Sequence, residues 1–278
     1  MTISARPRKG KSPEPDDGRM TLAEHLRELR TRLFISVVAI FVGFIVGWVL
    51  YGDIFSLLLS PYNSVVAGLR HKGIHAEAVI NDVGGPFMLQ AKVSLVAGLV
   101  IASPVWLYEI WAFIVPGLHR KEKRWTLSFV AVAGPLFMAG VVLGYLVLPK
   151  GINVLLGFTP SSVTSLVDVN GYFSFVLRVL LVFGVAFEIP LFVVLLNLAG
   201  VVRAHQLARW RRWIIFLTFV FAAVATPSTD PITMLLLAIP MTMLFLISEV
   251  IARIVDRRRG RDQVDDYDGL DDDEASPI

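Results

Sequence analysis

Residues 20–33 read MTLAEHLRELRTRL and pass without interruption into FISVVAIFVGFIVGWVLY, residues 34–51. The first stretch is amphipathic. Leu22, Leu26, Leu29 and Leu33 fall at i, i+4, i+7 and i+11, which is one face of a helix. Thr21 and Glu24 have the spacing of a capping box, with Thr21 as N-cap and Glu24 reaching back from N3. The second stretch is apolar for long enough to enter a bilayer. The charged face carries Glu24 and Glu28 among Arg27, Arg30 and Arg32. Glu24 has the cap to serve. Glu28 has only an i,i+4 pair with Arg32, worth ~0.3–0.5 kcal/mol when exposed. Two readings of Glu28 stay open on these residues: a solvated helix-face charge, or a receptor group for a basic ligand.

The same apolar pattern recurs along all 278 residues. Hydrophobic residues make up 55% of the chain and the mean hydropathy is +0.66, above the roughly 45–50% apolar usage of soluble domains. Six spans are predicted at 33–52, 90–114, 125–149, 171–199, 213–227 and 232–252, each a helix because lipid leaves no other partner for the backbone. The fold class is therefore an all-α integral membrane protein. Before it, residues 1–19 are polar, basic and Pro-rich, read as a disordered tail with no apolar core of a signal peptide. The membrane domain covers 20–255, and 256–278 reads as a charged disordered tail. With no cysteine, thiol catalysis, disulfides and Cys-ligated metals are excluded.

Lys and Arg orient the spans. Eight lie in the N-terminal tail and amphipathic segment, four at 120–124, four at 203–212 and five at 253–261. The remaining five are Arg70, Lys72, Lys92, Lys150 and Arg178. The positive-inside rule then puts both termini in the cytoplasm of a multi-pass plasma-membrane protein. Between Arg212 and Asp230 only some 15 apolar residues remain, which rise about 22 Å against a ~30 Å core, so the last two spans are expected to be short. Pro104, Pro135, Pro190 and Pro240 lie inside four spans and are expected to kink them. The first outer loop, 53–89, holds an expected interfacial helix at 54–59 and a turn at Pro61; the second holds a turn at 159–162.

Two further carboxylates stand out. Glu122 is the one acidic residue in HRKEKR, 119–124; with Glu28 on the same membrane face, it could grip a pair of adjacent arginines bidentately. Glu188 lies mid-span in GVAFEIPL, where an acidic side chain costs ~2.5–3.5 kcal/mol and points to function. Arg178, ten residues away and on another helix face, is no partner for it. Glu109 and Glu249 are read as interfacial charges near span ends. The five histidines show no metal spacing, and no HExxH, GxSxG, P-loop or GxGxxG occurs, so neither an enzyme nor a metal or cofactor site is expected.

Taken in order, TLAEHLRELRTRL, SPVWLYEIWAFIVPGL with the following Glu122, FGVAFEIPLF, TPSTDP and LLLAIPM resemble the TatC family, the multispanning subunit of the twin-arginine protein translocase. The resemblance covers about residues 20–255. It implies a receptor for the twin-arginine signal peptides of folded proteins, which are exported using the proton motive force. It implies that Glu28, Glu122 and Phe113 line the signal-peptide site, and that Glu188 is the family's intramembrane carboxylate. It implies docking of single-span TatA-type and TatB-type partners at the last two spans, with Thr226 and Met234 in the contact patch; Met234 stands where the family often has Gln. Membrane lipid and further copies of the chain are the other implied partners, and nucleic acid is not. The rival reading is a proton-coupled secondary transporter of a small solute with Glu188 as its proton site; the inverted repeat such a transporter favours is not visible.

Overall fold

The computed structural model describes residues 22–71, 73–118, 123–160, 162–225 and 231–259. The amphipathic stretch and the first apolar run are one helix, α1 (Leu22–Val49). Thr21 lies outside the described residues, as does the side chain of Glu24, and with them the predicted capping box. Helix α2 (Tyr51–Arg70) replaces the short interfacial helix and turn expected in the first outer loop. Pro61 sits inside it rather than ending it. The reason lies in a neighbour. Proline deprives the Leu57 carbonyl of its i+4 donor, and the Tyr145 hydroxyl donates to that carbonyl at 3.0 Å. One residue on, the Tyr172 hydroxyl donates to the Leu58 carbonyl at 2.7 Å.

The second predicted span is two helices, α3 (Gly85–Ile101) and α4 (Ser103–Leu118), bent by 56° at Ala102. Pro104 cannot donate to the Val100 carbonyl, so the ladder breaks there. The Trp106 indole N–H donates to the Leu99 carbonyl at 2.8 Å and satisfies one freed acceptor. Helix α5 (Lys123–Gly157) extends the third span at both ends and runs through Pro135 and Pro149. The fourth span is α6 (Val169–Phe187) and α7 (Ile189–Leu198), interrupted at Glu188 with Pro190 in the first turn of α7. Helices α8 (Ala204–Ala225) and α9 (Pro231–Arg258) follow.

Among the described residues, four segments are long and apolar enough to cross a membrane: His25–Val49, Phe129–Gly157, Val169–Leu198 and Met234–Arg258. The bent pair Gly85–Ile101 and Ser103–Ile114 makes a fifth. Helix α8 falls short. Arg209, Arg211 and Arg212 occupy its early turns, leaving apolar helix for about 20 Å of rise. The expected shortness of the last span needs correction: α9 has 28 residues. Its acidic residues Glu249 and Asp256 are paired with neighbouring helices, and Arg253 pairs with Glu249 along α9 itself, so they prolong the helix past the predicted boundary at 255 instead of ending it.

Among the described residues the all-helical expectation has one addition, a two-stranded parallel sheet of β1 (His75–Val79) and β2 (Thr164–Asp168) in register His75↔Thr164 to Val79↔Asp168. Asp168 ends β2 and caps α6, accepting from the Gly171 N–H at 2.7 Å. The sheet joins the two connections at one end of the bundle. The other, basic end holds the start of α1, the end of α4, the α7–α8 turn and the end of α9. Beneath the sheet, α2, α3, α5 and α6 share a core around Leu58, Leu69, Leu89, Phe173 and Val176. Nearer the basic end, α4, α5 and α7 pack around Leu107, Trp111, Phe129, Phe137 and Leu195.

Candidate functional site

The predicted site begins on α1. His25, Glu28 and Arg32 lie at i, i+3 and i+7, on one helix face. The Arg32 guanidinium donates from Nε and Nη2 to Glu28 Oε1, at 2.9 and 2.7 Å. The i,i+4 pair expected from the sequence is therefore formed. Arg32 does more than that: its Nη1 donates to Glu109 Oε2 on α4 at 2.9 Å. Glu109 is 8% exposed, so it is a buried partner of α1 rather than a charge at the membrane surface. Phe113, one turn beyond Glu109 on α4, stacks on His25 with ring centroids 4.4 Å apart and planes 18° apart. Two helices thus zip together through an ion-paired triad and an aromatic stack. Glu122 and the rest of 119–122 lie outside the described residues.

Sequence reasoning missed Glu109. The signal was present, since Glu109 and Phe113 are one turn apart on α4 and share a face. What was lacking was the knowledge that this face meets α1.

Glu188 is held at the α6–α7 break. Its N–H donates to the Val185 carbonyl, and its carbonyl accepts from the Phe192 N–H, each at 3.0 Å. Both carboxylate oxygens are buried and neither takes a hydrogen bond. The Trp111 indole of α4 faces the carboxylate without closing a well-formed bond to it. Arg178 is exposed on α6 and forms no ion pair with Glu188, as its spacing implied.

At the far side of the bundle, Met234 of α9 is half-buried and packs on the cluster of Phe183, Ala222, Leu237 and Met241. Thr226 lies outside the described residues. Closer to the basic end, Glu249 is 2% exposed and is gripped from two sides. Arg211 of α8 donates from Nε to Glu249 Oε2 at 2.9 Å, and both Arg211 and Arg253 bond Oε1. Asp256 Oδ2 accepts from the Ala204 N–H at 2.7 Å and from Asn197 Nδ2 at 3.0 Å, which ties the start of α8 to the end of α9. These are structural ion pairs and caps. Among the described residues, no three acidic or histidine side chains group together as a metal site.

The profile of the family described as Sec-independent protein translocase protein (TatC) matches residues 24–240. The chain belongs to the TatC family. The Sec-independent protein translocase protein TatC of Frankia casuarinae is 45% identical over 269 residues, which are 95% of this chain and 74% of the relative. That of Aquifex aeolicus is 36% identical over 243 residues, 86% of this chain and 98% of the relative. A crystal structure of a twin-arginine translocase receptor TatC in DDM superposes with a TM-score of 0.73 at 37% identity, covering 82% of this chain and 99% of that one. TatC proteins are components of a protein translocase, a transport family without an enzymatic reaction of its own. Within that frame α4 becomes the central element of the site. One of its faces carries Glu109 and Phe113 toward α1, and another carries Trp111 toward Glu188.

Proposed function

We propose that this protein is the core receptor of a twin-arginine translocation system. It binds the twin-arginine signal peptides of folded proteins and, with TatA-type and TatB-type single-span partners, exports them across the cytoplasmic membrane using the proton motive force. The observation that carries this reading is Glu28. It already accepts a guanidinium from Arg32 in charge-assisted geometry, beside an aromatic pair, at the end of the bundle that is richest in Lys and Arg. By the positive-inside rule that end, with both termini, faces the cytoplasm. Glu28 and Glu122 then hold one signal-peptide arginine each, and Phe113 borders them. The other regions follow. Glu188 is the intramembrane carboxylate, and the α8–α9 hairpin, with Thr226 and Met234, docks the single-span partners of a receptor that assembles in several copies.

The solute-transporter reading finds no support around Glu188, where no second ionisable group joins the carboxylate among the described residues. The test is export in cells. Glu28→Ala and Glu122→Ala each abolish export of a folded reporter carrying a twin-arginine signal, while general secretion continues. Normal export in both variants would remove the site assignment.

A further inference from the structure

Arg32 stands where the proposed ligand has to go. Its guanidinium fills Glu28 Oε1 with two of its donors and reaches Glu109 with a third. We propose that Arg32 is a placeholder cation: it occupies Glu28 in the empty receptor and retires onto Glu109 when a guanidinium ligand arrives. Glu109 is then a positioning residue that sets ligand affinity through Arg32. The proposal rests on the reading of Glu28 as a receptor carboxylate.

Three observations carry it. First, the triad holds two carboxylates and one guanidinium, so it keeps one negative charge to attract a second cation in spite of the basic surroundings. Second, the two halves of the Arg32 grip are separable. The contact with Glu28 is a local i,i+4 pair with partners about a quarter exposed, while Glu109 is nearly buried on another helix. A buried carboxylate stripped of its cation is costly, so Arg32 keeps Glu109 and yields Glu28. Third, the exchange replaces one guanidinium at Glu28 by another of the same geometry, so little is lost at the carboxylate itself. A side-chain rotation of Arg32 is all the protein has to supply.

The experiment uses the full chain in nanodiscs with a fluorescent twin-arginine peptide. Arg32→Gln removes the competitor and tightens binding about two- to fivefold. Glu109→Gln leaves Arg32 wholly on Glu28 and weakens binding by a similar factor. The double variant binds like Arg32→Gln alone, because Glu109 acts only through Arg32. Arg32→Lys keeps the charge and the helix but lacks the planar fork that bridges both carboxylates, and it too tightens binding. A merely structural role would weaken binding in all four variants, and that result overturns the proposal. So does an equal effect of Glu109→Gln with and without Arg32, which would place Glu109 on the ligand itself. Glu28→Gln separates the two levels: unchanged binding there overturns the receptor reading, whereas loss of binding there with the wrong sign at Arg32 overturns the placeholder alone.

Discussion

Gly43 of α1 and Gly98 of α3 meet backbone to backbone. A Cβ on Gly43 would overlap the Gly98 carbonyl, and a Cβ on Gly98 would overlap the Phe44 nitrogen. One turn along, a Cβ on Gly47 would come 2.8 Å from the Ser94 carbonyl oxygen. Gly43 and Gly47 have GxxxG spacing, which lets two membrane helices approach until their backbones touch. The α5–α6 crossing repeats the device, with Gly140 against the Phe183 carbonyl and Gly144 against the Phe183 side chain.

These backbone contacts leave no room for a Cβ at the crossing. Gly43→Val forces α1 off α3 and destabilises the protein by about 1–3 kcal/mol, the usual cost of overpacking. It also shifts Arg32 relative to Glu109, because α1 carries one and the α3–α4 unit the other. Gly134→Ala on α5, where a Cβ meets nothing within 4 Å, leaves stability unchanged or raises it. Thermal unfolding in detergent separates the two. Equal stability of Gly43→Val and the parent would show that the crossing tolerates separation.

The Glu249 clamp is the second expectation. A carboxylate 2% exposed with two arginine partners is stabilising only while both signs are present. Glu249→Ala leaves Arg211 and Arg253 facing each other without their anion. The arginines are 41% and 46% exposed, so solvent screens part of the damage. Stability still falls, seen as a lower unfolding temperature. The variant should also loosen α8 from α9 near Arg211, and faster proteolysis there is the second measurement. Glu249→Gln, which keeps shape and hydrogen-bonding oxygen, loses less.

Four of the spans, the bent second one and the crowding of cations at one end were legible because they depend on composition and length alone; the predicted span at 213–227 is not matched by a helix long and apolar enough to cross. The bends were half legible. All four prolines were candidates, yet the chain breaks at Pro104 and Pro190 and runs on as helix through Pro135 and Pro240. Proline removes one donor in each case. Neighbouring side chains serve carbonyls in both cases, Trp106 beside the break at Pro104 and Tyr145 at Pro61 in an unbroken helix, so the outcome is not set by the proline and its missing donor alone. Glu109, Glu249 and Asp256 looked like interfacial or tail charges because their partners are far away in sequence: Arg32, Arg211 and the α8 N-terminus. The β1–β2 pair was invisible for the same reason, being two five-residue strands joined across the bundle. The Gly43 and Gly140 spacings were readable and, like the Glu109–Phe113 spacing, are a local signal that went unused.

The His25–Phe113 stack gives a third expectation. The two rings hold α1 and α4 together beyond the ion pair, with stacked aromatics contributing about 0.5–1.5 kcal/mol over area burial. Phe113→Ala frees the His25 ring and lets Glu28 and Arg32 sample more rotamers. Export of a twin-arginine reporter then falls severalfold, and peptide binding weakens with it. Phe113→Tyr preserves the ring and retains most activity. Retained export in Phe113→Ala would show that the stack is packing only.

Glu188 supplies the sharpest contrast between stability and function. Both of its oxygens are buried without a hydrogen bond, at a helix break shared by α6 and α7. An unsatisfied buried polar group costs about 1–3 kcal/mol, and an apolar residue of similar volume removes that cost. Glu188→Met therefore raises the unfolding temperature. If the carboxylate serves transport, the same variant loses export while still binding signal peptide at Glu28, since Glu28 on α1 and Glu188 at the α6–α7 break meet α4 through different residues, Glu109 by way of Arg32 and Trp111. Glu188→Gln, which retains a polar head able to pair with the Trp111 indole, lies between the parent and Glu188→Met in both measurements. A more stable Glu188→Met that exports normally would reduce the residue to an unsatisfied packing group, and a less stable one would mean that Glu188 holds the α6–α7 break together.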